Sequence, residues 1–247
     1  MRRSIFVFGG LFFLAVAVSL FFFFTRHPRS LPQTSSSFTQ SGEGMLPETV
    51  DKQSPQHSVF RGCSGEGSGG DPALNRLKNR IDEAPLYHKV SLIKILELSQ
   101  PRGTENRRRN HWPAEDVALI AKYEGLPVAV EGYLAGVKLM GEETTNCRHE
   151  ENEMRDFHIW LVTSPDHGRD KSIVVEATPA IRSRHDSWTV RSLNQLVRQK
   201  QKVRISGWLM FDPEHPEDRG RTRATLWEIH PIMRIEVERN GEWFRLS

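Results

Sequence analysis

Five segments of the chain carry His, Asp or Glu inside apolar runs, and in two of them strand spacing puts a carboxylate and an imidazole on one side. In Asp156-Phe157-His158-Ile159-Trp160-Leu161-Val162, a period of two sends Asp156, His158 and Trp160 to one face and Phe157, Ile159 and Leu161 to the other. Trp227-Glu228-Ile229-His230-Pro231-Ile232 pairs Glu228 with His230 in the same way. Glu176 interrupts Ile173-Val174-Val175, while Asp212 and His215 follow an apolar run in Phe211-Asp212-Pro213-Glu214-His215-Pro216. If these faces converge, His158, Glu176, His215, Glu228 and His230, with Asp212 beside them, could hold a divalent metal ion as cofactor. They could equally form an acid/base pair whose imidazole is tuned by a neighbouring carboxylate. A strand with a plain polar face alternates too, so the pattern is also met by histidines that only satisfy their neighbours' hydrogen bonds. No paired-Cys ribbon or two-histidine helix is present, and Cys147-Arg148-His149-Glu150-Glu151 holds ligand-type residues at close spacing, a weak signal in a polar loop.

Pro231 removes a ladder donor and biases His230 toward extended backbone, which predicts an edge or a bulge beside the Glu228/His230 pair. The elements around these residues follow from periodicity and punctuation. Val128 to Met140 reads as a long strand interrupted by Gly132 and Gly136, Asp156 to Thr163 as a second and Lys171 to Thr178 as a third. Trp188 to Gln199 reads as a helix with Val190, Leu193, Leu196 and Val197 on one face, and Lys202 to Phe211 and Thr225 to Val237 complete the set. Three strands, a helix and two strands is the element order of a five-stranded OB-like barrel, so the fold class is mainly β with accessory helices. Such barrels bind ligands on the second and third strands and on the loops joining strands one to two and four to five. Here those loops are Lys138 to Arg155 and Asp212 to Ala224. The second contains Arg219 and Arg221, which join Asp156, His158, Trp160, Glu176, Asp212, His215, Glu228 and His230 as candidate binding residues. Trp160, Trp188, Trp208 and Trp227 could stack bases or sugars, but most lie in apolar runs and core packing fits them better.

Upstream, Leu74, Leu77 and Ile81 fall at helical spacing with basic residues between them, predicting a short amphipathic helix that packs its apolar stripe on the barrel. Val90 to Leu98 is ambiguous between strand and helix. Arg107-Arg108-Arg109 reads as solvated surface. Ala114 to Tyr123 predicts a helix, with Pro113 at its start, acids early, a lysine late and Gly125 just past its end.

Arg2 and Arg3 precede an uncharged stretch from Ser4 to Phe24, long enough to span a bilayer, followed by Arg26 and Arg29. An uncleaved signal anchor over residues 1–29 is the expectation, with a cleaved signal peptide as the alternative. A short basic N-terminus on the cytoplasmic side puts the rest of the chain outside the cytoplasm, in a single-pass arrangement. Residues 30–70, rich in Ser, Gly, Pro, Gln and Thr, read as a disordered tether. Residues 71–124 then form a helical extension packing on the barrel, and residues 125–247 the barrel domain. The formal charge of +3 divides unevenly: Met1 to Trp112 holds 15 Lys/Arg against 9 Asp/Glu, and Pro113 to Ser247 holds 19 against 22. A mildly acidic barrel disfavours non-specific nucleic-acid binding, which draws its affinity from phosphate neutralisation. The two cysteines, Cys63 in the tether and Cys147 in a polar loop, could pair in an oxidising compartment but set no disulfide framework.

The chain resembles an uncharacterised family of bacterial membrane-anchored or exported proteins with an OB-like domain. The likeness rests on Leu74-Asn75-Arg76-Leu77-Lys78-Asn79-Arg80, Lys122-Tyr123-Glu124-Gly125, Val130-Glu131-Gly132-Tyr133, Asp156-Phe157-His158 and Val175-Glu176-Ala177-Thr178-Pro179. It extends to Ser206-Gly207-Trp208-Leu209-Met210, Asp212-Pro213-Glu214-His215 and Trp227-Glu228-Ile229-His230-Pro231, covering roughly residues 71–240. It implies a bacterial origin and these boundaries, not an activity. The chain is also distantly similar to OB-like domains attached to secreted nucleases. The sequence therefore points to a membrane-tethered, extracytoplasmic ligand- or partner-binding domain. The alternatives are a metal-dependent, nuclease-like hydrolase built on the His/Asp/Glu cluster and a structural module of an envelope assembly.

Overall fold

The computed structural model describes residues 44–47 and 52–247. The expected anchor over Ser4 to Phe24 lies outside the described residues, and among those described no helix is long and apolar enough to cross a membrane.

Five strands close a mixed barrel: β2 (Pro127–Leu139), β3 (Phe157–Val162), β4 (Ile173–Ala177), β5 (Lys202–Phe211) and β6 (Trp227–Arg239), with β1 (His88–Val90) joining from outside. Around the barrel the order is β2-β3-β4-β6-β5, and β5 returns to β2 through the register Val128↔Gly207 to Tyr133↔Lys202. All these pairings are antiparallel except β4 with β6, which run parallel through Val174↔Glu228 and Val175↔Ile229. β1 adds a parallel strand to β2, and β7 (Glu242–Arg245) folds back on β6. Asn240 and Gly241, both at positive φ, make the tight turn between β6 and β7, as an Asn-Gly hairpin requires.

The alternation read from the sequence decides which face is which. Phe157, Ile159 and Leu161 of β3, Ile173 and Val175 of β4, and Trp227 and Ile229 of β6 all enter the core together with Trp208 and Phe211 of β5. The opposite face of β3, β4 and β6 therefore carries the polar residues. Strand β2 breaks register between Leu134 and Gly136, and β5 does so on either side of Gly207, against the segment of β6 that holds His230 and Pro231. The second break is the bulge expected beside Pro231. A Cβ on Gly207 would collide with the carbonyl of Pro231, so only glycine lets the two strands approach there.

Between β4 and β5 lie α4 (Pro179–Arg182) and α5 (Val190–Arg198). Thr189 and Ser192 form a reciprocal capping box at the start of α5, which buries Leu193 and Leu196 on the barrel. The extension before the barrel contributes α1 (Pro72–Lys78), α2 (Leu92–Leu96) and α3 (Ala114–Ala121). The ambiguous run from Val90 resolves into the end of β1 followed by α2.

Three expectations need correction. Residues 52–70 are held rather than disordered: Ile81 donates its backbone N–H to Gln56, Ser68 to Thr144, and Cys63 is disulfide-bonded to Cys147. Composition misleads there because backbone hydrogen bonds and a covalent link, not apolar burial, fix the segment. Asn75 completes the attachment by donating to the carbonyls of Glu66 and Gly69. In α1 the buried face consists of Leu74, Asn75 and Lys78, so the helix presents a cation inward as well as an apolar stripe. Arg109, finally, is a strut and not solvated surface: it makes a bidentate pair with Glu124, 2.7 Å on each arm, and donates to the carbonyl of Phe211.

Candidate functional site

The polar face of β3, β4 and β6 forms the floor of a cavity of about 450 Å³, walled by the β2–β3 loop on one side and the β5–β6 loop on the other. Strand register assembles the floor. His158 on β3 is paired directly with Glu176 on β4, and Val174, two residues earlier on β4, is opposite Glu228 on β6. His158 Nε2 stands 2.5 Å from Glu176 Oε1. On the other side of Glu176, His230 Nδ1 is 3.5 Å from Glu176 Oε2 and 3.4 Å from Glu228 Oε2, and Arg223 clasps Glu228. The second cation comes from outside the barrel: Lys78 Nζ, on the inward face of α1, lies 2.8 Å from Asp212 Oδ2 and 3.4 Å from Glu214 Oε2.

Of the ten candidate residues, His158, Trp160, Glu176, Asp212, His215 and Glu228 line the cavity, and Asp156 and His230 are buried beneath it. Arg219 and Arg221 do not join them. Arg219 turns away to pair with Glu105, and Arg221 is exposed on the β5–β6 loop. His215 stands on the rim, mostly exposed and paired with Glu217, so of the five proposed metal ligands it is the one outside the buried cluster. Trp160 is buried under Arg169, whose guanidinium lies 3.8 Å from the ring centroid. Gly136 leaves the room: a Cβ there would run into that guanidinium.

The charges of the cluster depend on one another. Burial works against the ammonium of Lys78, yet Asp212 and Glu214, helped by Glu176 and Glu143, hold its pKa well above the ordinary value. Burial likewise opposes the Glu228 carboxylate, but Arg223 and the hydrogen bond with His230 outweigh it and keep the group ionised. Arg223 is held charged in return, chiefly by Glu228 against its own burial. Glu176 goes the other way. Desolvation raises its pKa well above the usual carboxylate range despite His230, with Glu228 and Asp156 adding repulsion. Glu143, at the edge of the β2–β3 loop, is pushed up to about 8 by burial and by Asp156 and Glu176. Desolvation lowers His158, whereas Glu176 and Glu228 raise His230 against its burial.

Several atoms of this cluster have no hydrogen-bond partner among the described residues. Both carboxylate oxygens of Asp156, Oε2 of Glu176 and Nε2 of His230 are buried without a hydrogen bond. A desolvated acceptor left this way costs about 1–3 kcal/mol, more when charged. The arrangement can bind a group that supplies positive charge or donors, and it can pass protons along the His158–Glu176–His230–Glu228 line.

Lys78, Glu143, Arg169 and Arg223 belong to the site but were not among the candidates. Lys78 carries a signal in the sequence: it follows Leu74 by four residues and therefore shares its buried helical face. Arg223 is set apart from Arg219 and Arg221 only by its closeness to the apolar start of β6, a signal legible in hindsight alone.

Compared with known proteins, the chain matches no family model, no curated protein and no solved structure.

Proposed function

We propose that the chain is a membrane-tethered, extracytoplasmic OB-like domain that binds a small polar ligand in the cavity above β3. One observation carries the reading: the cavity lies where the polar face of β3 meets the β2–β3 and β5–β6 loops, the region OB barrels use for recognition. The order β2-β3-β4-β6-β5 around the barrel, with helices between the third and fourth barrel strands, supports the OB-like assignment. The Cys63–Cys147 disulfide supports an oxidising, extracytoplasmic setting, with the apolar run from Ser4 to Phe24 as the tether.

In this reading, the carboxylates and histidines of the floor supply acceptors and a tunable proton, and Arg169 and Lys138 supply donors at the wall. Lys78 and Arg223 hold the floor together and are committed to their carboxylates. The test is ligand-observed NMR on the full-length chain with panels of neutral sugars, amines and phosphate esters. Saturable binding of one class is expected, lost in Arg169→Ala and His158→Ala and kept in Arg221→Ala. Absence of binding across the panels, or equal binding by all three variants, would overturn the reading.

A further inference from the structure

We infer that Asp156, Glu176 and His230 hold a divalent first-row transition-metal ion beneath the cavity, a site that does not depend on which ligand the cavity takes. Each residue offers one ligand atom, and the three atoms lie within 4.8 Å of one another. The three come from separate elements: Asp156 immediately before β3, Glu176 within β4 and His230 at the bulge of β6. None of the three side chains is more than 2% exposed, so bulk solvent does not solvate these atoms.

Two observations independent of the clustering point to a cation. The first is the set of empty valences: both Asp156 oxygens, Glu176 Oε2 and His230 Nε2 are buried and without a hydrogen bond. Buried polar groups in folded proteins are nearly always satisfied, and a group of neighbouring exceptions implies a missing ion or donor. The second is charge. Around the floor stand Glu143, Asp156, Glu176, Asp212, Glu214 and Glu228, yet among the described residues only Lys78 and Arg223 reach any of them as Lys or Arg ion-pair partners, and these serve Asp212, Glu214 and Glu228. Asp156 and Glu176, both buried, have no Lys or Arg within ion-pair distance among the described residues; only the longer-range fields of Arg182 and Lys78 and the neighbouring histidines act on them. A divalent ion between them neutralises both carboxylates at once.

The donor set selects the class of ion. Two carboxylate oxygens with one imidazole nitrogen suit Zn²⁺ or Mn²⁺, whereas Ca²⁺ and Mg²⁺ prefer oxygen alone. Three protein ligands leave at least one coordination position for water or for a cavity ligand. Glu228, in contact with His230 Nδ1 and clasped by Arg223, then acts as the partner that orients the imidazole.

The experiment uses the full-length chain, stripped with a chelator and dialysed against Zn²⁺ alone or Mn²⁺ alone, with bound metal measured per chain. One ion per chain is expected for the wild type and for Glu142→Gln, a change at an exposed carboxylate 3.8 Å from the partly buried Arg155. Binding weakened on the order of 100-fold is expected for Asp156→Asn and for His230→Gln. Co²⁺ substitution gives a second readout on the wild-type chain alone, should the variants fail to fold: d–d absorption bands of a mixed nitrogen/oxygen site are expected. No stoichiometric metal under replete conditions would overturn the inference, as would undiminished binding by a folded Asp156→Asn chain or Co²⁺ bands absent from the wild type. Loss of ligand binding in the NMR panels with metal binding intact would strike the cavity reading and leave this site standing.

Discussion

Two buried polar regions of this molecule are built on opposite plans. At the corner beyond α1, Arg80 and Asp82 make a two-armed pair, with Nη2 at 2.6 Å from Oδ2 and Nε at 3.2 Å from Oδ1. The backbone N–H of Gln56 reaches the same carboxylate, and the Arg80 guanidinium lies 3.3 Å from the centroid of the Trp208 ring, whose own N–H donates to the Asp82 carbonyl. Almost every donor has an acceptor, so the corner is a joint between the extension and the barrel. Beneath the cavity the balance fails: carboxylates outnumber cations, and among the described residues Asp156 has no hydrogen-bond partner for either oxygen. The difference teaches that burial of charge is not by itself a sign of function in this fold. Buried charge left unanswered is, because its cost persists only where something else holds it in place.

Breaking the satisfied joint should have the largest effect. Arg80→Met leaves Asp82 buried and unpaired, and urea unfolding should report a loss of about 3–5 kcal/mol. A loss under about 1 kcal/mol would mean that the joint contributes no more than a surface pair. Lys78→Met is the next test, since it removes the one ammonium facing Asp212. About 2–3 kcal/mol should go, less than at the joint because Asp212 keeps both the backbone N–H of Glu214 at 2.8 Å and the field of the nearby Arg223.

A third region sharpens the contrast through pH. Burial would raise the Glu131 carboxyl, but Arg204, Lys202 and Lys89 together hold it down to about 2. Its folded pKa lies below its unfolded one, so its stabilisation is complete above the unfolded value near 4.5 and drains away as pH falls toward 2. Acid titration of the melting temperature should show that decline between pH 4.5 and 2, and Glu131→Gln should flatten it. The smallest effect is expected at the unanswered cluster, where Asp156→Asn removes a buried carboxylate with no fixed cation and Glu176→Gln replaces a carboxyl whose ionisation burial already disfavours.

The barrel was legible in the sequence because its strands alternate cleanly. β5 begins and ends at the expected Lys202 and Phe211, and Asp156, His158 and Trp160 share the side opposite Phe157, Ile159 and Leu161. The β7 hairpin was missed although Asn240-Gly241 announces it; its strand is only four residues long and mostly exposed, so it carries little hydrophobic pattern. Half of the floor was readable, since carboxylate and imidazole on one strand face are a matter of spacing. The cations that complete it were not. Lys78 arrives from α1, far along the chain from Asp212, and only tertiary packing brings the two together. Arg219 and Arg223 look alike in the sequence, yet one pairs with Glu105 away from the cavity and the other with Glu228 on its floor. Charged loop residues take whichever partner the fold presents, and local pattern does not record that choice.

The account turns on whether the Asp156/Glu176 cluster is kept for a ligand or for the fold, and one measurement separates these without knowing the ligand. Urea unfolding of the chelator-treated wild type should be compared with that of Asp156→Asn and Glu176→Gln. The account predicts that both variants match or exceed the wild type within about 1 kcal/mol, as expected where function holds destabilising groups in place. A loss of about 2 kcal/mol or more in both would make the cluster a structural joint like Arg80–Asp82 and contradict the central claim.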